Sequence, residues 1–291
     1  MAAGEVPVTV VVMTRDRREN VLATLTRLTQ LPERPAIIVV DNGSSDGTVP
    51  AVHRSFPGVR VISLRQNQGA PARTLGARAA TTPYVAFADD DSWWAPGALR
   101  RAAAIFDSCP RLGLLAAQIL VGPEQRPDPT CALMADSPLP REPDAPGPSV
   151  LGFVACGAVV RREAFLAVGG FSPLIFFFGE EQLLAQDLMA AGWQLAYVPE
   201  VVAHHDPGSA VGDRTGRDRL AVRNAVLTLL LRRPVPVAVV QTLRLLAGRR
   251  SLAAAAGLLD ALRRSPQALR QRVRLPPQVE YQARLLEAAR R

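Results

Sequence analysis

Short apolar runs alternate with amphipathic segments through the first two-thirds of the chain. Residues 8–13 and 36–40 are continuous β-branched runs, the pattern of strands buried on both faces. Leucines at three-residue spacing predict a helix over residues 19–31 between them. The same alternation predicts strands over residues 59–64, 84–88, 112–121, 153–160 and 194–198, and helices over residues 48–55, 70–80, 97–106, 162–168 and 180–191. It indicates an α/β fold with a mixed, mostly parallel sheet flanked by helices, in which ligands bind beyond the carboxyl ends of the strands.

Two segments depart from this alternation. Residues 122–149 are rich in Pro, Asp and Gly and have little periodicity, so we expect an insertion or mobile loop there. Residues 206–216 form a polar connector, and residues 217–291 are apolar, Arg-rich helical segments cut by prolines. We therefore expect an α/β domain over residues 1–210 and a basic helical extension over residues 211–291.

The net charge of +8 is concentrated in that extension. All basic residues are Arg: residues 1–210 contain 17 Arg against 21 acidic residues, and residues 211–291 contain 17 Arg against 5. A basic tail of this kind predicts contact with an acidic membrane surface or a partner, or packing on the first domain; nucleic-acid binding is not expected, since no aromatic interleaving accompanies the Arg.

The cysteines and the apolar runs indicate the cellular compartment of the protein. Three widely spaced cysteines without metal-type spacing indicate a reducing compartment. No run of 18 uncharged apolar residues occurs, and the first residues do not resemble a secretory leader. We expect a cytoplasmic protein, with peripheral contact at the inner face of the membrane left open.

Three consecutive aspartates, Asp89, Asp90 and Asp91, follow the apolar run 84–88. Carboxylates clustered at the end of a buried strand repel one another, and a bound divalent cation is the usual compensation. Because side chains alternate along a strand, we expect Asp89 and Asp91 to point one way as a cation clamp and Asp90 the other. The alternative is a helix N-cap close to Ser92.

Polar clusters also follow the first two strands. Thr14, Arg15 and Asp16 lie where a nucleotide base or phosphate could rest against a helix N-terminus, with ordinary capping as the alternative. Asp41 and Asn42 begin a dense turn, in which a carboxylate can accept hydrogen bonds from a base or ribose.

Asn67 and Gly69 precede the helix predicted over residues 70–80, which contains Arg73. An Arg at this place can bind a phosphate or a base. A solvated helix face is the alternative.

Acidic and imidazole groups occur later in the chain. Glu180 and Glu181 begin a helix after three phenylalanines, and burial beside aromatic rings would raise the pKa of a carboxyl toward a value useful for a general base. Interaction with the helix dipole is the alternative explanation. His204 and His205 end the patterned region, where an imidazole could complete a metal site or simply lie on the surface.

In this order and spacing, the motifs resemble those of the inverting glycosyltransferases of family 2, which have the GT-A fold. The matching stretches are residues 8–16, 39–48, 65–69, 87–96, 168–171, 178–181 and 191–204. The resemblance covers residues 8 to 205. It implies transfer of a sugar from a nucleotide-diphosphate sugar to an acceptor hydroxyl with inversion, assisted by a divalent metal, Mn²⁺ or Mg²⁺.

The resemblance also implies roles for particular residues. Nucleotide-sugar binding falls on Thr14, Arg15, Asp16, Asp41, Asn42, Asn67, Gly69, Arg73, Asp89 and Asp90, with Asp41 at the base and Asp90 near the ribose. Metal binding falls on Asp89, Asp91 and His204. The general base falls on Glu181, with Glu180 in reserve. The donor would be a UDP-, GDP- or dTDP-sugar, and the acceptor a carbohydrate, a lipid-linked compound or a small molecule.

The chain departs from the family pattern mainly on the acceptor side. The base position usually carries Asp, so Glu181 is one methylene longer; Leu183 replaces a frequent acidic residue, Asp187 a frequent Arg, and Thr74 a frequent Asn. These changes leave open a non-catalytic sugar-nucleotide-binding module. A nucleotidyltransferase is a further alternative, but no glycine-rich triphosphate loop follows the first strand.

Overall fold

A mixed sheet lies at the centre of the protein, in a computed structural model that describes residues 6–208, 214–249 and 251–289. Its strands are β1 (Val8–Thr14), β2 (Ala36–Asp41), β3 (Arg60–Ser63), β4 (Tyr84–Asp89), β5 (Ser92–Trp94), β6 (Leu112–Val121), β7 (Arg126–Pro127), β8 (Ala158–Arg161) and β9 (Gln194–His205). The order is β3-β2-β1-β4-β8-β6-β9-β5, with β7 paired to β6. Strands β3, β2, β1 and β4 are parallel, whereas β8 is antiparallel to both of its neighbours. The sheet is thus mixed, and parallel pairing prevails in its first half.

Helices cover both faces of the sheet. They are α1 (Arg18–Thr29), α2 (Thr48–Ser55), α3 (Pro71–Ala79), α4 (Ala98–Ser108), α5 (Pro129–Ala135), α6 (Arg162–Ala167), α7 (Glu180–Ala190), α8 (Arg214–Arg232), α9 (Val235–Gly248), α10 (Leu252–Arg270) and α11 (Pro277–Ala289). The apolar sides of α1, α2 and α4 pack on one face, and those of α3, α5, α6, α7 and α11 on the other. Burial of apolar surface on both faces explains why the central strands β1, β2 and β4 are almost continuous apolar runs.

The parallel register brings the polar ends of three strands together. Thr14 at the end of β1 pairs with Asp41 at the end of β2, and Met13 pairs with Asp89 at the end of β4. The residues that follow these strands therefore lie at one edge of the sheet, as the alternating pattern predicted.

Three segments differ from the sequence prediction. The insertion at residues 122–149 contains β7 and α5, and α5 begins where the Asp128 carboxylate accepts a hydrogen bond from the Thr130 amide (2.7 Å). The strand expected over residues 153–160 begins only at Ala158, after a 3₁₀ turn at Ala155–Gly157. Strand β9 continues to His205 through a bulge after Val198, because its second half pairs with both β5 and β6.

The helices of the extension pack on the α/β domain. Val222 and Leu227 of α8 lie in one buried cluster with Ile175 and Leu183, and the Arg223 side chain donates to the Ile175 carbonyl oxygen (2.8 Å). The expected boundary between residues 210 and 211 lies outside the described residues. Among those described, no helix is both long and apolar enough to cross a membrane.

Candidate active site

A cavity of about 490 Å³ opens at the carboxyl ends of β1, β2 and β4. Eight residues predicted to bind the nucleotide sugar or a metal line it: Thr14, Arg15, Asn42, Asn67, Gly69, Asp89, Asp90 and Asp91. The other lining residues are Met13, Arg17, Phe176, Phe177, Phe178, His205, Pro207 and Arg217. Arg217 comes from α8, so the extension takes part in this cavity. We call it the donor-side cavity.

The aspartate triplet is arranged differently from the alternation expected along a strand. Asp89 ends β4, and Asp90 and Asp91 form the turn into β5. Arg17 Nη1 lies 3.0 Å from Asp90 Oδ1 and 2.9 Å from Asp91 Oδ2, so these two adjacent carboxylates share one guanidinium. Asp89 instead forms an ion pair with Arg73. A turn does not keep the alternation of a strand, so Asp90 and Asp91, rather than Asp89 and Asp91, share a partner here. The use of Asp89 and Asp91 as a cation clamp stays a prediction.

Asp90 accepts hydrogen bonds from threonine hydroxyls of β1 and α1. The Thr14 hydroxyl donates to Asp90 Oδ2 (2.9 Å), and the Thr24 hydroxyl of α1 donates to the Asp90 carbonyl oxygen (2.8 Å). Burial raises the pKa of Asp90 to about 7, against the opposing effects of Arg17 and Thr14.

Of the two adjacent histidines, His205 faces the aspartates. His205 Nε2 lies 3.4 Å from Asp91 Oδ1, and this contact raises the pKa of His205. Burial of Asp91 acts to raise its pKa. The contacts with His205 and Arg17 outweigh this effect, so the pKa of Asp91 is lowered. His204, which was predicted as a metal ligand, stacks on Trp93 instead, with ring centroids 5.3 Å apart. Neighbouring side chains in β9 point to opposite faces, so His205 rather than His204 faces the aspartates in this structure. The metal role predicted for His204 stays a prediction.

The chemistry of Asp89, Asp91 and His205 fits a divalent cation. Carboxylate oxygens suit Mn²⁺ and Mg²⁺, imidazole is a common metal ligand in proteins, and all three side chains line the donor-side cavity. Within the described part of the chain, no three such groups converge closely enough to hold an ion. In this structure Asp89 Oδ1 is paired with Arg73 and Asp91 Oδ2 with Arg17, so a bound cation would share these carboxylates with the arginines or displace them.

The turn after β2 is stabilised by its own side chains. Asp41 is buried and accepts from the Ser44 amide (3.2 Å) and the Ser63 hydroxyl (3.3 Å), and it does not line the cavity. Asn42 donates to the Gly69 carbonyl oxygen (3.1 Å) and thereby joins this turn to the loop before α3. Asp16 accepts from the Ser45 amide (2.7 Å) at the exposed rim.

Arg73 connects the donor-side cavity to α7. Its side chain is 2% exposed; it pairs with Asp89, and its Nη1 lies 3.6 Å from Glu180 Oε1. Among the described residues, Arg73 Nε, Arg73 Nη1 and Glu180 Oε2 have no hydrogen-bond partner. A buried guanidinium with unused donors, placed beside the cavity, can bind a further polar group.

Glu180 and Glu181 occupy different environments. Glu180 is 3% exposed, and burial together with the neighbouring charge of Glu181 raises its pKa to about 8 against the effect of Arg73. Glu181 is half-buried, and burial raises its pKa as well.

Glu181 lines a second cavity, of about 270 Å³, which we call the Glu181 cavity. Its walls come from α5, the segment before the 3₁₀ turn, the start of α7, and α11, with Arg233 between α8 and α9. The lining residues are Thr130, Leu133, Met134, Ser137, Val150, Leu151, Gly152, Phe153, Gly179, Glu181, Gln182, Arg233, Ala283, Leu286 and Glu287. Arg233 is almost fully buried and donates to Glu280 (Nε–Oε2 2.6 Å). No local signal in the sequence distinguishes Arg233 from the many other Arg of the tail.

The chain is similar to known proteins of one family. The model of the family "Glycosyl transferase family 2" matches residues 9–169. An N-acetylglucosaminyl-diphospho-decaprenol L-rhamnosyltransferase of Mycobacterium tuberculosis is 31% identical over 234 residues, which is 69% of this chain and 74% of that protein. A pre-mycofactocin glycosyltransferase of the same species is 32% identical over 219 residues, 72% of this chain and 45% of that protein.

Two solved structures share the fold. The mannosyltransferase PcManGT from Pyrobaculum calidifontis, in complex with GDP-Man and Mn²⁺, has a TM-score of 0.58 at 20% identity, covering 99% of this chain and 87% of that chain. S. aureus TarS in complex with UDP-GlcNAc has a TM-score of 0.61 at 17% identity, covering 97% and 87%. This chain belongs to glycosyl transferase family 2. It is a glycosyltransferase with the GT-A fold and C-terminal helices, as the motifs predicted.

Proposed function

We propose that the protein transfers a sugar from a nucleotide-diphosphate sugar to an acceptor hydroxyl, with inversion and with Glu181 as the base. The observation that carries the proposal is a chain of contacts through one buried arginine, Arg73, which links a residue of the donor-side cavity to the start of the helix that carries Glu181. Asp89 lines the donor-side cavity and pairs with Arg73, Arg73 approaches Glu180, and the next residue, Glu181, lines the second cavity.

The donor-side cavity suits a nucleoside diphosphate. Its volume is within the range of small-molecule sites, and Arg15, Arg17 and Arg217 supply guanidinium groups that bind phosphate oxygens. We assign the nucleotide sugar to this cavity, with Thr14, Asn42, Asn67 and Gly69 as further contacts. Asp16 at its rim and the buried Asp41 support the loops that form it.

A divalent cation is part of this proposal. Asp89, Asp91 and His205 are the residues that would hold it, and when bound it would neutralise the charge that develops on the diphosphate leaving group. The Mn²⁺ in the PcManGT structure supports a metal in proteins of this fold.

Glu181 has the environment of a general base. Burial raises the pKa of its carboxyl, and so strengthens it as a proton acceptor near neutral pH. In the reaction the carboxylate takes the acceptor hydroxyl proton, the hydroxyl oxygen bonds to the anomeric carbon, and the bond from that carbon to the diphosphate breaks. Attack from the side opposite the diphosphate inverts the anomeric configuration.

A lipid-linked acceptor fits the Glu181 cavity best. Its lining is largely apolar around Glu181, with Leu133, Met134, Phe153 and Leu286 among the wall residues. The M. tuberculosis rhamnosyltransferase is named for a decaprenol-linked compound, which is consistent with an acceptor of this class.

The test combines donor binding with transfer. Thermal shifts are measured with UDP-, GDP- and dTDP-sugars, with and without Mn²⁺ or Mg²⁺, because a ligand that binds only the folded state stabilises it. We expect one nucleotide to raise Tm in the presence of metal. Glu181→Gln should lower kcat by about 10²- to 10⁴-fold while leaving that shift unchanged, and Glu163→Gln, on the exposed part of α6, is the matched control.

The outcomes separate the alternatives. A nucleotide-dependent shift without turnover in the wild type or in Glu181→Gln would indicate the non-catalytic binding module. The absence of any shift with any nucleotide in the presence of metal would contradict the proposal as a whole.

A further inference from the structure

Exposed large apolar side chains are concentrated in the extension. Of those in the described residues, only Leu133 lies outside residues 235–281. The others are Val235, Val239, Val240, Leu243, Leu252, Leu259, Leu262, Leu269, Val273 and Tyr281. A monomeric soluble protein rarely exposes so many neighbouring apolar groups, and such a patch marks an interaction surface.

Helix α9 exposes an apolar face. Val235, Val239 and Leu243 recur at four-residue spacing, are 53–62% exposed, and lie on one side of the helix. The buried Ala238 lies on the opposite side. The helix contains no acidic residue, and Arg244 is exposed at the edge of the apolar face.

Helix α10 also exposes an apolar face. Its inner side is made of small residues that pack closely on α8: a Cβ at Gly257 would lie 2.4 Å from the Arg219 carbonyl oxygen. The leucines lie on the outer side, where Leu252 is 92% exposed and Leu259 and Leu262 are more than half exposed. The outer faces of α9 and α10 therefore have no partner within the described chain.

The charge beside these faces is strongly positive. The described residues 235–249 and 251–279 contain seven Arg and one acidic residue, Asp260. Asp260 is already paired with Arg219 (2.6 Å) and Arg263 (3.4 Å). In the described structure Arg270 and Arg274 are exposed and form no ion pair.

We propose that the outer faces of α9 and α10 dock onto the surface of an anionic lipid bilayer. Apolar side chains that enter the interface, flanked by arginines that contact acidic headgroups, are the features of a helix that lies on a membrane. A second copy of the chain would bring two positive surfaces together, so charge complementarity favours the bilayer over a dimer.

The docked surface leads to the Glu181 cavity. A groove of about 440 Å³ beside α9 is lined by Val240, Arg244 and Glu287, and Glu287 also lines the Glu181 cavity. This step rests on the proposed function: a lipid-linked acceptor held in the bilayer would approach Glu181 along α9.

Vesicle flotation tests the docking independently of catalysis. The full chain is mixed with vesicles of phosphatidylcholine alone or with phosphatidylglycerol added, without nucleotide sugar. We expect flotation with the anionic vesicles, lost at high salt. It should fall on the order of tenfold or more in Leu243→Gln/Leu259→Gln and in Arg244→Gln/Arg270→Gln.

A matched control has the same loss of charge elsewhere. Arg100→Gln/Arg101→Gln removes two exposed arginines from α4, on the other face of the sheet, and should float like the wild type. Since all of these side chains are exposed, Tm should not change in any variant.

Flotation that is absent in the wild type or equal in every variant overturns the proposal. So does a wild-type dimer in analytical ultracentrifugation that the α9–α10 variants convert to a monomer. Because no donor is present, failure of the proposed function would leave these results unaffected.

Discussion

The Arg232 guanidinium donates to the Asp187 carboxylate, with Nη2 2.9 Å from Oδ2, and joins the end of α8 to α7. Both side chains are largely buried, at 14% and 17% exposure. Helix α7 begins with Glu180 and Glu181, so the extension is attached directly to the helix of the proposed base. The acidic residue at position 187, which departs from the family pattern, thus has a partner in this chain.

Asp187→Asn should destabilise the protein by about 2 kcal/mol, because removal of one partner leaves the other charge buried and unpaired. Urea unfolding followed by circular dichroism measures this change. Asp218→Asn is the control: Asp218 pairs with Arg249 at 3.6 Å, but both side chains are about half exposed, so we expect a change below about 1 kcal/mol. Equal effects of the two substitutions would show that the buried pair contributes nothing specific.

Gly69→Ala should be strongly destabilising. Gly69 has φ +68°, and a Cβ there would lie 2.2 Å from the Phe176 carbonyl oxygen, a backbone atom that cannot easily move. Gly97→Ala is matched in conformation, at φ +85°, but a Cβ there meets nothing within 4 Å. We expect Gly97→Ala to cost about 1–2 kcal/mol from its left-handed backbone alone. Gly69→Ala should cost more by about 1–3 kcal/mol from the clash.

The same pair of variants separates stability from binding. Gly69 lines the donor-side cavity, so Gly69→Ala should also weaken the donor-dependent thermal shift, whereas Gly97→Ala should retain it. Similar melting temperatures for the two variants would be incompatible with the contact to Phe176.

Stability should fall as the pH rises because of Glu180. The pKa of its carboxyl is raised from 4.5 to about 8 in the folded protein, mainly by burial. The stability that the protonated form contributes is complete below pH 4.5 and is lost as the pH rises toward 8. Glu180→Gln should flatten the slope of unfolding free energy against pH in this range, by up to about 1.4 kcal/mol per pH unit.

Urea unfolding at several pH values between 5 and 9 (roughly the window set by the two pKa values) measures that slope. Glu163→Gln removes an exposed carboxyl from α6 and should leave the slope unchanged. If the wild type and Glu180→Gln gave parallel curves, Glu180 would not be the group that titrates.

The two histidines should respond differently to metal. His205→Ala removes the imidazole that contacts Asp91, and should abolish the Mn²⁺-dependent part of the nucleotide thermal shift. His204→Ala removes the stacking on Trp93, and should lower Tm while leaving the metal response intact. Calorimetric titration with Mn²⁺ in the presence of nucleotide provides a second readout, and a loss of metal binding only in His204→Ala would reverse our assignment.

The fold could be predicted from the sequence because its strands are buried on both faces and its helices are short and regular. Places where tertiary contacts decide the structure could not be predicted. Strand β9 passes Pro199 because β5 and β6 pair with its second half, and no local signal indicates this. Likewise, the turn after Asp89 replaces strand alternation, so Arg17 rather than a paired aspartate faces Asp91.

The sequence could predict that Thr14, Asn42 and Asp89 lie together, because each ends or directly follows a parallel strand. The Glu181 cavity could not be predicted, because α5, Phe153, Arg233 and α11 are far apart in the sequence and meet only through packing. Two arginines of the extension also line the cavities: Arg217 lines the donor-side cavity and Arg233 the Glu181 cavity. The predicted division into two domains did not indicate that the extension takes part in the site.

The contact between Gly69 and Phe176 has a consequence for protein engineering. The Ala70 amide donates to the Phe176 carbonyl oxygen (2.6 Å), so the loop before α3 and the loop before α7 are in close backbone contact and have complementary shapes. A chimera that takes residues 6–80 from another member of the family would combine two loops of different origin at this point. Exchange of the N-terminal strands between family members therefore requires that residues 172–179 be transplanted together with them.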